Sequence, residues 1–249
     1  MNFFLEIILS ALIGLSIFLS YPIVTSKKIS RKYQTFLTAI AVGILIFLVS
    51  DIFSDVSLIL FSGNSLYGYG TNTVFDIEFI ASLFAGFFML YIFEFRPGVE
   101  LKSFHISLMI SIGIGLQNLT EGLVFGSNAA TIGFSGVTLV VFTGFVVQNI
   151  AEGFPIGAPM FGEKKILRNY LPVFFLIGGI PTILGGGIGY YLTSVTFELI
   201  FDGLAIGSIL YIIVSMSPAL FRNINREIKK HLYLGVFFGF VLGLVVNLF

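Results

Sequence analysis

Gln117-Asn118-Leu119-Thr120-Glu121-Gly122 and Gln148-Asn149-Ile150-Ala151-Glu152-Gly153 are two copies of one pattern, Q-N-x-x-E-G. On a helix, Gln and Glu four residues apart share a face, and Asn sits about 100° round from Gln. Two such faces brought together offer two carboxylates and up to four side-chain amide oxygens. Facing ionised carboxylates in a low-dielectric interior repel strongly. They need a cation between them, or a proton on at least one. A divalent metal meets that need and uses amide oxygens as further ligands.

The surroundings of both copies are apolar. The chain has 249 residues, of which 57% are hydrophobic and 10% charged, and its mean hydropathy is +1.03. That is the composition of a membrane protein. A spanning helix needs about 20 apolar residues, and eight such runs are predicted: 3–22, 36–53, 75–95, 104–126, 136–160, 169–193, 199–220 and 231–248. The expected fold is an all-α, eight-helix integral membrane domain covering residues 1–249. A carboxylate at bilayer depth is costly and by default marks a functional site. The first apolar run has no basic residue before it and Lys27, Lys28, Arg31 and Lys32 after it, which reads as a retained helix instead of a cleaved signal. The chain has no Cys, so disulfides and thiolate metal sites are excluded. It has no Trp either, which leaves tyrosines such as Tyr21, Tyr33, Tyr170, Tyr190, Tyr191 and Tyr233 to form an interfacial belt.

The basic residues predict orientation. All 13 Lys and Arg fall between predicted helices 1 and 2, 3 and 4, 5 and 6, or 7 and 8. The positive-inside rule makes those loops cytoplasmic and puts both termini outside. Glu6, Asp51, Asp55, Asp76, Glu78, Glu198 and Asp202 cluster toward the opposite, outer ends. An acidic outer face raises the local cation concentration. Retention of basic residues inside explains the same asymmetry without any function.

Gln117 lies about 20 Å along helix 4 from Phe104, and Gln148 about 18 Å along helix 5 from Gly136, at 1.5 Å per residue. Both copies therefore fall near the bilayer middle on antiparallel neighbours. Gly122 and Gly153 permit close helix approach. Pro155 and Pro159 are expected to break backbone hydrogen bonds in helix 5, a feature of midplane sites in secondary transporters. The bland alternative is that the Gln, Asn and Glu side chains only bond helix to helix.

At these residues the chain resembles the ZIP family of divalent metal transporters (Zrt-, Irt-like proteins). That family has eight helices with both termini outside, a metal site between helices 4 and 5, H-N-x-x-E-G in helix 4 and H-x-x-x-E-G or Q-x-x-P-E-G in helix 5. The resemblance implies a ZIP-like bundle in which Gln117, Asn118, Glu121, Gln148, Asn149 and Glu152 occupy metal-ligand positions. It extends to Ala41–Asp51, Pro181–Gly185 and Ala205–Tyr211, similar to stretches of the family's helices 2, 6 and 7. It further implies transport of Zn, Fe or Mn ions toward the cytoplasm, in a multi-pass protein of the cell membrane with no prosthetic group. Expected partners are divalent metal ions and lipid, with a homodimer left open and no nucleic acid.

The departures point to chemistry. The helix 4 histidine is Gln117 here, and the family's Pro before Glu is Thr120 in one copy and Ala151 in the other. The stretch matching the helix 7 acid of many relatives reads Val214-Ser215-Met216-Ser217-Pro218. An oxygen-only ligand set favours harder ions than a histidine-bearing one, so weaker zinc preference and Mn²⁺ or Fe²⁺ as cargo are expected. His105 and His231 sit near cytoplasmic helix ends and are read as interfacial. Gly185-Gly186-Gly187 with Gly189 lacks a following Lys-Ser/Thr and fits helix packing, not phosphate binding. Gly63 to Thr73 reads as an outer loop, and Asn128 to Gly136 as the outer turn before helix 5. Asp51, Asp76, Glu78 and Asp202 are secondary candidates for the outer mouth. The rival readings are a transporter-derived sensor or structural protein without metal flux, and, last, a membrane enzyme using the glutamates as acid and base. No nucleophile or cofactor motif accompanies them, and none is expected.

Overall fold

A computed structural model describes residues 1–25, 31–61, 73–96, 102–161, 169–192, 194–221 and 226–247. The outer loop expected from Gly63 to Thr73, all but Thr73, which begins a helix, lies outside the described residues, as do Lys27, Lys28, Lys164, Lys165, Arg168 and Arg222. The described residues are almost all helical: α1 (Phe3–Val24, tightening to a 3-10 turn at Ile17–Ser20), α2 (Arg31–Phe61), α3 (Thr73–Glu94), α4 (Ser103–Thr131), α5 (Gly136–Gly157), α6 (Leu171–Tyr191), α7 (Val195–Phe221) and α8 (Arg226–Asn247). All eight are long and apolar enough to cross a membrane.

Glycine seams set the packing. A Cβ at Gly122 would overlap the Thr182 carbonyl, and one at Gly126 the Gly186 carbonyl, so α4 lies directly on the backbone of α6. Gly14 and Gly179 seat α1 on α6, Gly43 and Gly239 seat α2 on α8, and Gly203 and Gly207 seat α7 on α3. The expectation that Gly185, Gly186 and Gly189 serve packing holds, since all three press on α4 or α1. The paired-motif glycines play a different part from a clasp between α4 and α5. Gly122 faces α6, and Gly153 faces Ile17 and Ser20 of α1. They press each motif helix onto a third helix and leave the motif faces free to meet.

These contacts also fix relative direction. Residues 115, 122 and 126 of α4 meet 177, 182 and 186 of α6, so the two run parallel. Gly153 and Gly157 of α5 meet Ile17 and Val24 of α1, also parallel, whereas Gly186 and Gly179 of α6 meet Ser10 and Gly14 of α1, antiparallel. The Met1 ammonium donates to the Ala129 carbonyl at 3.1 Å, which puts the start of α1 beside the end of α4. Each helix thus reverses on the one before it.

Two helices run further than their apolar stretches suggest. α2 continues past Asp51, Ser54, Asp55 and Ser57 to Phe61, and α4 continues through Ser127, Asn128 and Ala129 to Thr131. The expected turn at Asn128 is therefore helix, and the chain reverses only at 132–135, where Gly133 takes φ 75°. Asp51 and Asp55 of one extension and Ser127 and Asn128 of the other line adjoining cavities, so their polarity reports a cavity wall and not a helix end.

Candidate metal centre

All six residues of the paired motif are buried. The i, i+4 geometry of α4 lets Gln117 Nε2 donate to Glu121 Oε1 at 3.2 Å. The helices join through Asn118 Nδ2, which donates to Asn149 Oδ1 at 3.0 Å, and Asn149 Nδ2, which donates to Glu121 Oε2 at 3.2 Å. Asn118 Nδ2 also donates to the Gly178 carbonyl of α6 at 2.9 Å, and Asn149 Nδ2 to the Phe145 carbonyl within α5 at 3.0 Å. The two copies are therefore brought face to face, as their spacing predicts. Asn118→Ala would leave the Asn149 oxygen and the Gly178 carbonyl without this donor, so thermal unfolding should show a loss of about 1–3 kcal/mol.

The two glutamates are not equivalent. Glu121 accepts at both oxygens. Glu152 is fully buried, and neither of its oxygens receives a hydrogen bond of standard geometry, although Asn118 and Gln148 lie near it. Gln117 Oε1 and Asn118 Oδ1 are also buried and without donors. Four acceptor oxygens of one motif pair thus lack a hydrogen bond of standard geometry in a protein interior, where such groups are normally satisfied. That donor-poor, oxygen-rich set fits a hard or borderline cation. Among the described residues, however, no three His, Cys, Asp or Glu side chains are gathered closely enough to hold a metal. Any ion here takes amide oxygens as well as carboxylates. Pro155 lies within α5, three residues past Glu152, and the helix tightens to a 3-10 turn at Ala158–Met160 around Pro159. A proline at 155 removes the backbone donor that would otherwise reach the Ala151 carbonyl.

A cavity of about 150 Å³ reaches Gln117, Glu121 and Gln148. Asp51, Asp55, Glu198 and Asp202 line its other wall. It shares Asp55, Val124 and Glu198 with a larger cavity of about 410 Å³ that extends to Leu192 and Ser194 beyond the end of α6. Asp55 is exposed, Glu198 half-buried, and Asp202 and Glu121 buried. The result is an acid-lined funnel running from one end of the bundle to the paired motif. Asp51 is close enough to act electrostatically on both Glu121 and Glu152, and Thr120 reaches Asp202 with its hydroxyl.

Of the secondary acids, Asp51 and Asp202 line this funnel, whereas Asp76 and Glu78 of α3 do not. Asp55 and Glu198, counted in the sequence among the outer-face acids but not among the candidates for the mouth, line it too, as does Thr120. A signal for the acids exists: Asp51/Asp55 and Glu198/Asp202 are both i, i+4 pairs, each marking one helix face. His105 packs beside Phe93 and Phe104 near the start of α4, and His231 Nδ1 contacts the Glu227 carbonyl at 2.8 Å in α8. Neither lines the funnel. The helix 7 stretch Ser215 to Ser217 meets an acid from another helix instead, since Ser215 Oγ and Tyr211 both donate to Glu94 of α3. Comparison with protein-family models finds no match, and comparison with curated proteins finds none either.

Proposed function

We propose that this chain is a ZIP-like transporter that moves divalent cations toward the cytoplasm across the cell membrane. Glu121 and Glu152 are its core ligands, Gln117 and Gln148 complete the site, and Asn118 and Asn149 hold the two halves together and flank the ion. The carrying observation is the funnel that leads past four acids to Gln117, Glu121 and Gln148 of the buried motif pair, with Glu152 enclosed outside its lining. The acids stand at the end of the bundle that the positive-inside rule makes external, which supports import. The cargo is Mn²⁺ or Fe²⁺ ahead of Zn²⁺, because every side-chain ligand is an oxygen.

Gln117→His tests this ligand assignment. An imidazole at the floor of the funnel should raise the ratio of Zn²⁺ to Mn²⁺ initial uptake rates about tenfold. An unchanged ratio would remove position 117 from the coordination sphere. Zinc affinity of the natural chain equal to that of a histidine-bearing relative would contradict the oxygen-ligand reading as a whole. A second reading, a sensor or structural protein without metal flux, draws on one observation: no three acidic or histidine side chains converge tightly among the described residues.

A further inference from the structure

A second carboxylate, in the seam between α1 and α6, is buried without a basic side chain paired to it. Glu6, in the first turn of α1, is fully buried. Its Oε1 accepts from Ser10 Oγ at 2.5 Å, and its Oε2 has no partner. The pair occupies space that only a glycine leaves open, because a Cβ at Gly186 of α6 would overlap both Ser10 Oγ and Glu6 Oε1. Thr182 lies one turn deeper on the same face of α6, against Gly14 of α1. It too is fully buried, and its Oγ1 has no partner. A threonine hydroxyl inside a helix ordinarily bonds the carbonyl four residues back. For Thr182 that carbonyl belongs to Gly178, which accepts from Asn118 Nδ2 instead.

Among the described residues no basic side chain is paired with Glu6. The Met1 ammonium donates to the Ala129 carbonyl, and the ion pair formed among the described residues joins Lys32 to Glu227. The start of α1 favours an acid through its backbone dipole, but that supplies no partner for Oε2. An isolated buried carboxylate is strongly unfavourable unless it is paired with a cation or carries a proton. One negative charge with two neutral hydroxyl oxygens balances a single positive charge, whereas a divalent ion would leave a net charge buried. All the ligands are hard oxygens.

We propose that Glu6, Ser10 and Thr182 form a binding site for a small monovalent cation of the sodium class, in the seam between α1 and α6. The site is separate from the paired motif and does not depend on the transport reading.

The test is thermal unfolding of the purified full chain in detergent, in sodium chloride against N-methyl-D-glucamine chloride at equal ionic strength. Sodium should raise the midpoint saturably, by about 5 °C at a hundredfold excess over Kd. The rise should vanish in Glu6→Gln and fall at least by half in Thr182→Val, which keeps the side-chain shape and decides the matter should Glu6→Gln fail to fold. Glu121→Gln should retain it. No sodium shift in the natural chain, a full shift in Thr182→Val, or loss of the shift in Glu121→Gln would overturn the proposal.

Discussion

Glu152→Gln is expected to weaken Mn²⁺ binding at least about 100-fold without destabilising the metal-free protein. A carboxylate contact with one positive charge at 4 Å is worth about 4 kcal/mol at an effective dielectric of 20, and each 1.4 kcal/mol is tenfold in affinity. Partial desolvation cancels some of that, so 100-fold is a lower bound. The stability half of the prediction follows from the unpartnered state of Glu152. Neither oxygen accepts a hydrogen bond of standard geometry, so neutralising it disturbs only the looser approach of Asn118 and Gln148 and relieves a buried charge. Glu121→Gln should lose Mn²⁺ binding as severely but behave differently in stability. Both Glu121 oxygens accept hydrogen bonds, from Gln117 and Asn149, and an amide presents one nitrogen to a donor. That mismatch should lower stability by about 1–3 kcal/mol. Calorimetric Mn²⁺ titration paired with thermal unfolding separates the two variants. Equal stability losses in both would contradict the asymmetry between the glutamates.

The second large effect is steric. Gly126→Val should cost about 3 kcal/mol or prevent assembly, because its side chain would drive into the Gly186 carbonyl and Tyr190 nitrogen of α6. Backbone cannot rotate aside as a flexible side chain can. Gly144 is the matched control, since a Cβ there meets nothing within 4 Å. Gly144→Ala lies inside α5 and should be neutral or stabilising by up to about 1 kcal/mol. Unfolding midpoints in detergent measure both. A tolerated Gly126→Val would mean that α4 and α6 do not approach this closely.

Legibility in the sequence followed the strength of each local signal. Eight apolar runs predicted eight helices, and i, i+4 spacing placed Gln117 with Glu121 correctly. The ends of α2 and α4 were misjudged because Asp55, Ser127 and Asn128 look like loop residues in a hydropathy reading. Their polarity instead belongs to a cavity wall, and a place on such a wall is a tertiary property. Gly122 and Gly153 were recognisable as packing glycines, but the helices they press on were not. Partner choice depends on how all eight helices arrange, which no single stretch encodes. The link from Asn118 to Gly178 was invisible for the same reason, since it joins residues 60 apart.

The most direct measurement is uptake of Mn²⁺, Fe²⁺, Zn²⁺ and Cd²⁺ into proteoliposomes containing the natural chain, with Glu121→Gln and Glu152→Gln in parallel. The account predicts Mn²⁺ or Fe²⁺ flux that both substitutions abolish. No flux of any of the four ions, from protein shown to be folded, would contradict it and leave a membrane sensor or structural protein in its place.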